Sequence, residues 1–271
     1  MKKFELQNLF EISGIGSASG LIYTNDKLYI ISDNSTFLYQ YNINKAKLKS
    51  INLNKESHQN IPKIIKPDFE SIALKGHKLY LFGSGSTSNR EQQVTYNLKT
   101  QEVKEKNLNS LYEKFRVKIG ISPDDLNIEG SFYHAKKWFF FQRGNGASSK
   151  NGIFISDEKD LEFISIKLPK IQNIEATFTD AIVVDNLIYF LAAVENTKST
   201  YDDGEILGCF VGCLSLKTLK IIFTHKISDT NKFEGLTLFE KSENQIDLLL
   251  CEDNDTDHLT TKIYKLSLLD Q

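Results

Sequence analysis

The sequence predicts an all-β protein: a single β-propeller domain over residues 1–271, with five blades of four antiparallel strands. Three observations lead to this prediction. Helical periodicity is nearly absent, and short apolar strands separated by tight turns recur along the chain. The recurring unit also returns at a spacing typical of propeller blades.

Each repeat opens with a small or acidic residue in a short apolar strand, followed by a tight turn and a second, more apolar strand. In the first repeat these are residues 19–23, the turn at 25–26 and residues 28–33. Equivalent positions in the five repeats lie 51, 59, 50 and 55 residues apart, at Gly20, Ser71, Gly130, Asp180 and Gly235. Such a period indicates one four-stranded blade per repeat.

The two ends of the chain are predicted to close the ring together. After Cys251 only one good strand remains, residues 262–268, so the fifth blade lacks a strand. Residues 4–12 can supply it, which would hide the sheet edges that otherwise invite aggregation. The alternative architecture has a sixth, degenerate blade near residues 100–125, where residues 111–115 could instead form one or two helical turns.

Composition excludes several classes of partner. The net charge is −2, and lysines and arginines are spread along the chain, so no basic stripe predicts a nucleic-acid surface. No apolar run is long enough for a membrane span. The three cysteines, at 209, 213 and 251, are sparse and odd in number, and the N-terminal residues do not resemble a signal peptide. We therefore expect reduced thiols and a cytoplasmic protein.

The repeat alignment predicts an acidic site on the propeller axis. The first strand of each blade should line the central channel, so equivalent residues converge there. The position before the small residue is held by Ser19, Glu70, Glu129, Thr179 and Glu234. Three carboxylates at one mouth repel one another unless a cation or an arginine neutralises them. Oxygen ligands of this kind suit Ca²⁺ or Mg²⁺; the alternative is that each glutamate accepts backbone N–H groups of a neighbouring blade.

The fourth repeat allows two alignments. Residues 174–178 resemble residues 128–132, which would place Glu175 at the ring position. The length of the following hairpin instead places Thr179 and Asp180 at the channel. We favour Asp180, because the repeat period then stays more even.

The ends of the second strands should supply a further polar ring. It comprises residues 33–34, 84–86, 143–146, 195–196 and 252–253. Arg143, one of three arginines, could hold a carboxylate or phosphate in bidentate fashion, or pair with the glutamate ring. A loop over residues 202–207 could cover the mouth and add Asp203. The predicted ligand-binding residues are Asp33, Asn127, Arg143, Asp180, Glu195 and Glu205, and the predicted metal ligands are Glu70, Glu129 and Glu234.

Glutamates placed before a small residue at the start of inner strands resemble the Glu-Gly repeats of esterase-like phytase, strictosidine synthase and gluconolactonase propellers. Four short motifs are closer still to an uncharacterised bacterial propeller family of unknown function. They are residues 84–87, 127–130, 178–181, and 202–205 with 207–208. The resemblance implies a propeller fold with a shared pocket, and in the named families such glutamates often ligate calcium at the channel.

Two classes of function fit these features. One is a metal-assisted hydrolase of a small ester, lactone or phosphoester, in which a bound cation polarises an oxygen or lowers the pKa of a water. The other is a non-catalytic propeller that binds a small ligand or a protein at its mouth. None of the five histidines shows metal-ligand spacing, and no Ser–His–Asp set can be identified. The sequence leaves both classes open and identifies no protein partner.

Overall fold

The computed structural model describes residues 3–157, 159–200, 204–253 and 258–269. These residues form five antiparallel four-stranded sheets, arranged as blades, and one two-stranded hairpin. The first strand of every blade contacts the first strands of both neighbouring blades, so the inner strands form a closed ring of five. The predicted five-bladed all-β propeller is confirmed.

The strands follow one another blade by blade. The chain opens with β1 (Lys3–Ser13). The first blade contains β2 (Ala18–Thr24), β3 (Lys27–Ser32), β4 (Phe37–Asn42) and β5 (Lys47–Asn52). The second contains β6 (Phe69–Lys75), β7 (Lys78–Gly83), β8 (Gln92–Asn97) and β9 (Val103–Asn107). The third contains β10 (Ile128–His134), β11 (Lys137–Gln142), β12 (Gly152–Ser156) and β13 (Leu161–Ser165).

A short hairpin, β14 (Lys170–Ile171) with β15 (Ile174–Glu175), precedes the fourth blade. The fourth blade contains β16 (Thr177–Val184), β17 (Leu187–Asn196), β18 (Glu205–Ser215) and β19 (Ile221–Ser228). The fifth contains β20 (Phe233–Lys241), β21 (Gln245–Glu252), β22 (Thr260–Leu269) and, as its outermost strand, β1.

The region considered for a sixth blade is helical. Between β9 and β10 the chain forms α1 (Asn109–Ile119) and a short 3₁₀ turn at Pro123–Asp125. Another short 3₁₀ turn, Ser88–Arg90, lies between β7 and β8. Tyr112 and Phe115 of α1 are buried; the Phe115 ring stacks on Phe154 with centroids 4.3 Å apart. The helix therefore fills the space between the second and third blades. No helix in the described part of the chain has the length and apolar content needed to span a bilayer.

Small residues follow the ring position because the inner strands approach one another closely near the axis. A Cβ atom added at Gly130 would lie 2.9 Å from the backbone nitrogen of Ala181, and one at Gly235 would lie 2.9 Å from Cα of Gly20. Contacts this short are not seen for real Cβ atoms. Glycine is therefore required at these two positions, where neighbouring blades meet.

The predicted closure by the N-terminal segment is confirmed. Strand β1 pairs antiparallel with β22 from Lys3, opposite Leu269, to Ser13, opposite Thr260. It thus covers the edge of the last blade. Ile12 is its most buried side chain, at 2% exposure, and it packs in the core between the fifth and first blades.

Closure by β1 predicts unequal effects of two substitutions within that strand. Replacing buried Ile12 with Ala removes core contacts and should lower the free energy of unfolding by about 2–4 kcal/mol. Leu9, at 36% exposure, is the matched control, and its replacement with Ala should change the free energy by about 0.5 kcal/mol at most. Urea unfolding followed by circular dichroism measures both. Equal effects would contradict the packing of β1 in the core.

Candidate functional site

A β-bulge marks the same position in all five inner strands. Pairing with the second strand skips one residue in each blade, and a bulge of this kind redirects a side chain. The skipped residues are Ser19, Glu70, Glu129, Thr179 and Glu234. They are the five positions aligned from the sequence. In the fourth blade the position belongs to Thr179, whereas Glu175 lies in β15 and accepts a hydrogen bond from the Leu168 backbone N–H at 3.1 Å.

Two more layers of residues flank this ring at the same end of the channel. One layer lies two residues earlier on each inner strand or just before it: Ser17, Asp68, Asn127, Thr177 and Lys232. The other lies just after or near the end of each second strand: Asp33, Ser84, Arg143, Ala193 and Asp253. Backbone hydrogen bonds or ladder pairing join the two layers blade by blade. The repeat therefore delivers charged side chains to one mouth in register.

These side chains line a cavity of about 60 Å³ on the axis. A water molecule takes up about 30 Å³ of liquid, so the space suits an ion or a few waters. Seven acidic and five basic side chains line the cavity, so the fully ionised set has a net charge of −2. The acids are Asp33, Asp68, Glu70, Glu129, Glu195, Glu234 and Asp253, and the bases are Lys63, Lys66, Arg90, Arg143 and Lys232.

Arg143 binds carboxylates from three blades. Its Nη1 lies 3.2 Å from Oε1 of Glu129 and 3.5 Å from Oε1 of Glu234, and its Nη2 lies 2.5 Å from Oε2 of Glu195. The arginine is 3% exposed. Both terminal nitrogens are thus directed at protein carboxylates. Of the two roles considered for Arg143, the structure shows the ion pair with the glutamate ring. The arginine also lines the axial cavity, so its predicted ligand-binding role stays a prediction.

A second group of charges connects the first two blades. Lys66 contacts both Asp33 and Asp68, with its Nζ 2.8 Å from Oδ1 of Asp68. Arg90 reaches the other oxygen of Asp68 at 2.8 Å. In the fifth blade Lys232 lies 2.9 Å from Oε1 of Glu234. Sequence reasoning missed Lys66, Arg90, Lys232 and Asp68. Asp68 and Lys232 could have been found, because each lies two residues before a ring position and residues two apart lie on the same side of a strand.

Glu70 differs from the other ring glutamates because no cationic side chain in the described ranges lies within ion-pairing distance of it. Its Oε2 is buried and has no hydrogen-bond partner. Burial, followed by the neighbouring carboxylates of Glu129 and Asp68, raises the pKa of Glu70 well above its usual value. Burial also raises the pKa of Glu129, although Arg143 and Lys232 oppose that effect. Glu70 is thus the carboxylate that a proton or a cation would stabilise most.

The geometry supports a different metal-ligand set from the predicted one. Asp33, Asp68 and Glu70 each offer an oxygen, and the three oxygens lie within 4.8 Å of one another. Glu70 alone belongs to both sets; Glu129 and Glu234 pair with Arg143 instead. We call Asp33, Asp68 and Glu70 the acidic triad. Burial raises the pKa of Asp33 to about 6, with Lys66 opposing the shift and Asp253 adding to it.

The remaining predicted ligand-binding residues divide into two groups. Asp33, Asn127 and Glu195 line the cavity, where Asn127 donates a hydrogen bond of 2.7 Å to Glu129. Asp180 does not line it: its Oδ1 accepts the Ala181 backbone N–H and its Oδ2 accepts that of Leu236, both at 2.7 Å. Asp180 therefore connects neighbouring inner strands, a role considered above for the glutamates.

Glu205 is also outside the cavity. It is the first residue of β18, is exposed to solvent and is not among the described residues that line the axial cavity. Asp203 lies outside the described residues. The loop around it therefore contributes only Ser199 and Thr200 to the described lining.

A larger cavity of about 650 Å³ adjoins the axial one between the third and fourth blades. The two cavities share Asn145 and Glu195. Residues of the β14–β15 hairpin line it, together with the loop after β11 and the end of β17. Most of its lining is amide, hydroxyl or lysine; Ile174 is the one large apolar side chain among the described lining residues.

The fold and the axial cavity define a five-bladed β-propeller with a buried, charged channel mouth. The chain belongs to a family of unknown function, DUF6929, whose model matches residues 14–268. This membership agrees with the resemblance drawn from the short motifs. None of the curated proteins matches the sequence.

Solved propellers share the fold at low sequence identity. The major allergen Mala s 1 of Malassezia sympodialis is 11% identical, with a TM-score of 0.61 over 94% of this chain and 95% of that one. Glutaminyl cyclase of Myxococcus xanthus is 11% identical, with a TM-score of 0.56 over 98% and 97%. The PQQ-bound aldose sugar dehydrogenase of Streptomyces coelicolor is 10% identical, with a TM-score of 0.55 over 98% of both. These likenesses support the fold alone.

The unpaired carboxylate of Glu70 predicts a substitution that stabilises the metal-free protein. Glu70→Gln should raise the melting temperature at pH 8 in EDTA, because it removes a buried charge without a cationic partner. The raised pKa of Glu70 means that the wild type regains stability as the pH falls through that pKa. The gain from Glu70→Gln should therefore shrink on acidification.

Arg143→Met provides the contrasting variant. It leaves three buried glutamates without their shared cation and should lower the free energy of unfolding by about 3–5 kcal/mol. Thermal and urea unfolding of both variants across the pH range measure these effects. A loss of stability in Glu70→Gln at pH 8 would show that the ionised carboxylate has a partner.

Proposed function

We propose that this protein binds a divalent cation, Ca²⁺ or Mg²⁺, at the acidic triad and holds a small oxygen-bearing ligand beside it. The observation that carries the proposal is the buried Oε2 of Glu70, which lacks a hydrogen-bond partner within the group of three convergent carboxylates. The excess charge of −2 on the cavity lining equals the charge that one divalent cation compensates. Carboxylate oxygens are the ligands that both ions prefer.

Cavity size supports a place for the small ligand. The axial cavity of about 60 Å³ is too small for an organic molecule together with an ion. The adjoining cavity of about 650 Å³ is within the range of small-molecule sites. Its amides and hydroxyls suit a polar ligand, and Glu195 and Asn145 connect it to the axial cavity.

The chemistry that fits this arrangement is metal-assisted hydrolysis of a small ester, lactone or phosphoester. A bound cation supplies polarisation of a substrate oxygen and a lowered pKa for a bound water. Burial raises the pKa of both Glu70 and Glu129, which favours a role for these carboxyl groups in proton exchange.

A non-catalytic propeller that binds a small ligand is the second candidate. No histidine, cysteine or tyrosine is among the described residues that line either cavity, so carboxylates are the available bases there. The cytoplasmic location stays a prediction; the three free cysteines support it, because disulfides are rare in the cytosol. Binding of nucleic acid, membrane or protein partners is not part of either proposal.

Cation binding is tested by calorimetric titration with CaCl₂ and with MgCl₂. We expect one site per chain in the wild type and no measurable binding by Glu70→Gln, because the triad then loses the one carboxylate without a competing cation. The exposed acid Glu205 is the matched control, and Glu205→Gln should bind as the wild type does. Undiminished binding by Glu70→Gln would contradict the assigned site.

The catalytic proposal is tested with a panel of esters, lactones and phosphoesters, each with Ca²⁺ and with EDTA. Turnover that requires the cation, is lost in Glu70→Gln and is kept in Glu205→Gln would support the hydrolase. Absence of turnover across the panel by protein that binds Ca²⁺ would favour the non-catalytic propeller.

A further inference from the structure

The acidic triad already contacts a cation that belongs to the chain. Lys66 is 8% exposed, and its ammonium group contacts Asp33 and lies 2.8 Å from Oδ1 of Asp68. Burial by itself lowers the pKa of Lys66, but these carboxylates together with Glu70 outweigh that effect and raise it above its usual value. Two of the three triad members are therefore bound to a tethered monovalent cation.

The backbone around Lys66 holds the ammonium group in place. The Lys66 carbonyl accepts a hydrogen bond of 2.9 Å from Nδ2 of Asn89, and its N–H donates to the Pro62 carbonyl at 3.0 Å. Two residues later, the Asp68 N–H donates to the Asp33 carbonyl at 3.1 Å. These bonds fix the backbone segments from which Lys66, Asp33 and Asp68 extend, and so keep the three side chains near one another.

A divalent cation at the triad needs an oxygen of Asp68, and both are already contacted by cations of the chain: Oδ1 by Lys66 and Oδ2 by Arg90. Lys66 also contacts Oδ2 of Asp33. Calcium binds carboxylate oxygens at about 2.3–2.6 Å, a shell that leaves no room for an ammonium group bound to the same two carboxylates. Two cations placed there would also repel each other. Occupation of Asp33 and Asp68 by Lys66 and by a metal ion is therefore mutually exclusive.

We propose that Lys66 is a built-in competitor that sets the cation affinity and selectivity of the triad. This inference rests on the proposed divalent-cation site. A monovalent ion that displaced the ammonium group would leave the charge of the cavity unchanged. The preorganised ion pair of Lys66 with its carboxylates would be lost. A divalent ion that displaced the ammonium group would instead reduce the excess negative charge of the lining from −2 to −1. Lys66 thus excludes Na⁺ and K⁺ and weakens the binding of Ca²⁺ and Mg²⁺.

The cavity contains a matched control for this lysine. Lys232 is 6% exposed and also contacts two carboxylates, Glu234 at 2.9 Å and Asp253 at 3.6 Å. It does not contact the acidic triad. Replacing either lysine removes the same charge from the same cavity, so any difference between the two variants reports on direct competition for the triad oxygens.

The experiment compares Ca²⁺ and Mg²⁺ titrations of the wild type, Lys66→Met, Lys232→Met and the double variant Lys66→Met/Glu70→Gln. We expect Lys66→Met to bind Ca²⁺ at least tenfold more tightly than the wild type and Lys232→Met to change the affinity less than threefold. The double variant should not bind. If Lys66→Met binds Ca²⁺ no more tightly than Lys232→Met does, the inference is overturned.

Thermal unfolding tests the inference even if Lys66→Met is less stable than the wild type. Lys66→Met leaves Asp33 and Asp68 without their shared ammonium group, so its melting temperature in EDTA should fall and Ca²⁺ should restore it. The rise caused by Ca²⁺ should exceed that of the wild type. Lys66→Gln, which keeps a hydrogen-bond donor beside Asp68, is the second variant if Lys66→Met does not fold. A rise equal to that of the wild type in the variant used would overturn the inference.

The outcomes separate this inference from the proposed function. If the wild type binds no divalent ion but Lys66→Met binds one tightly, Lys66 is a competitor as inferred. Cation binding is then contradicted as the natural function. Equal binding by the wild type and Lys66→Met supports the site and refutes the competitor. Absence of binding by every folded variant refutes both.

Discussion

Closure of five inner strands into a ring is the constraint on which the rest of the structure depends. A closed ring brings one position of each repeat to the same axis, whatever residue occupies it. The β-bulges occur at that position in all five blades. The backbone therefore presents five side chains to the channel mouth, and the chemistry of the mouth follows from which residues occupy these places.

Burial of so many charges at one point requires that they be paired. Arg143 provides several donors in a planar group, which lets it bind carboxylates of the third, fourth and fifth blades at once. Lys66 does the same between the first and second blades, and Arg90 pairs with Asp68 beside the second. These ion pairs connect blades at the end of the channel where no apolar core lies between them. Glu70 is the ring glutamate that these ion pairs do not include, and its unpaired carboxylate marks the candidate site.

The sequence was sufficient for the blade count, the closing strand and the ring residues because each depends on a period that repeats. Asp180 could not be predicted correctly, since its alignment at the axis does not reveal that both carboxylate oxygens bind backbone N–H groups. Lys66 lies in the connection before the second blade, outside the repeating unit. Its position depends on turns and hydrogen bonds of that connection, which no periodicity reports. Glu205 was assigned from a loop whose course the repeat does not define.

The pairing of β1 with β22 has a consequence for biosynthesis. Phe4 lies opposite Leu268, so β1 leaves the ribosome long before the strand with which it pairs. Contacts so distant in sequence form slowly, and an unpaired strand that waits in the cell is a site for aggregation. The composition of β1 reduces that hazard, because most of its side chains are exposed in the finished protein and several are charged or amide-bearing. The strand that must wait longest is thus one that water solvates well.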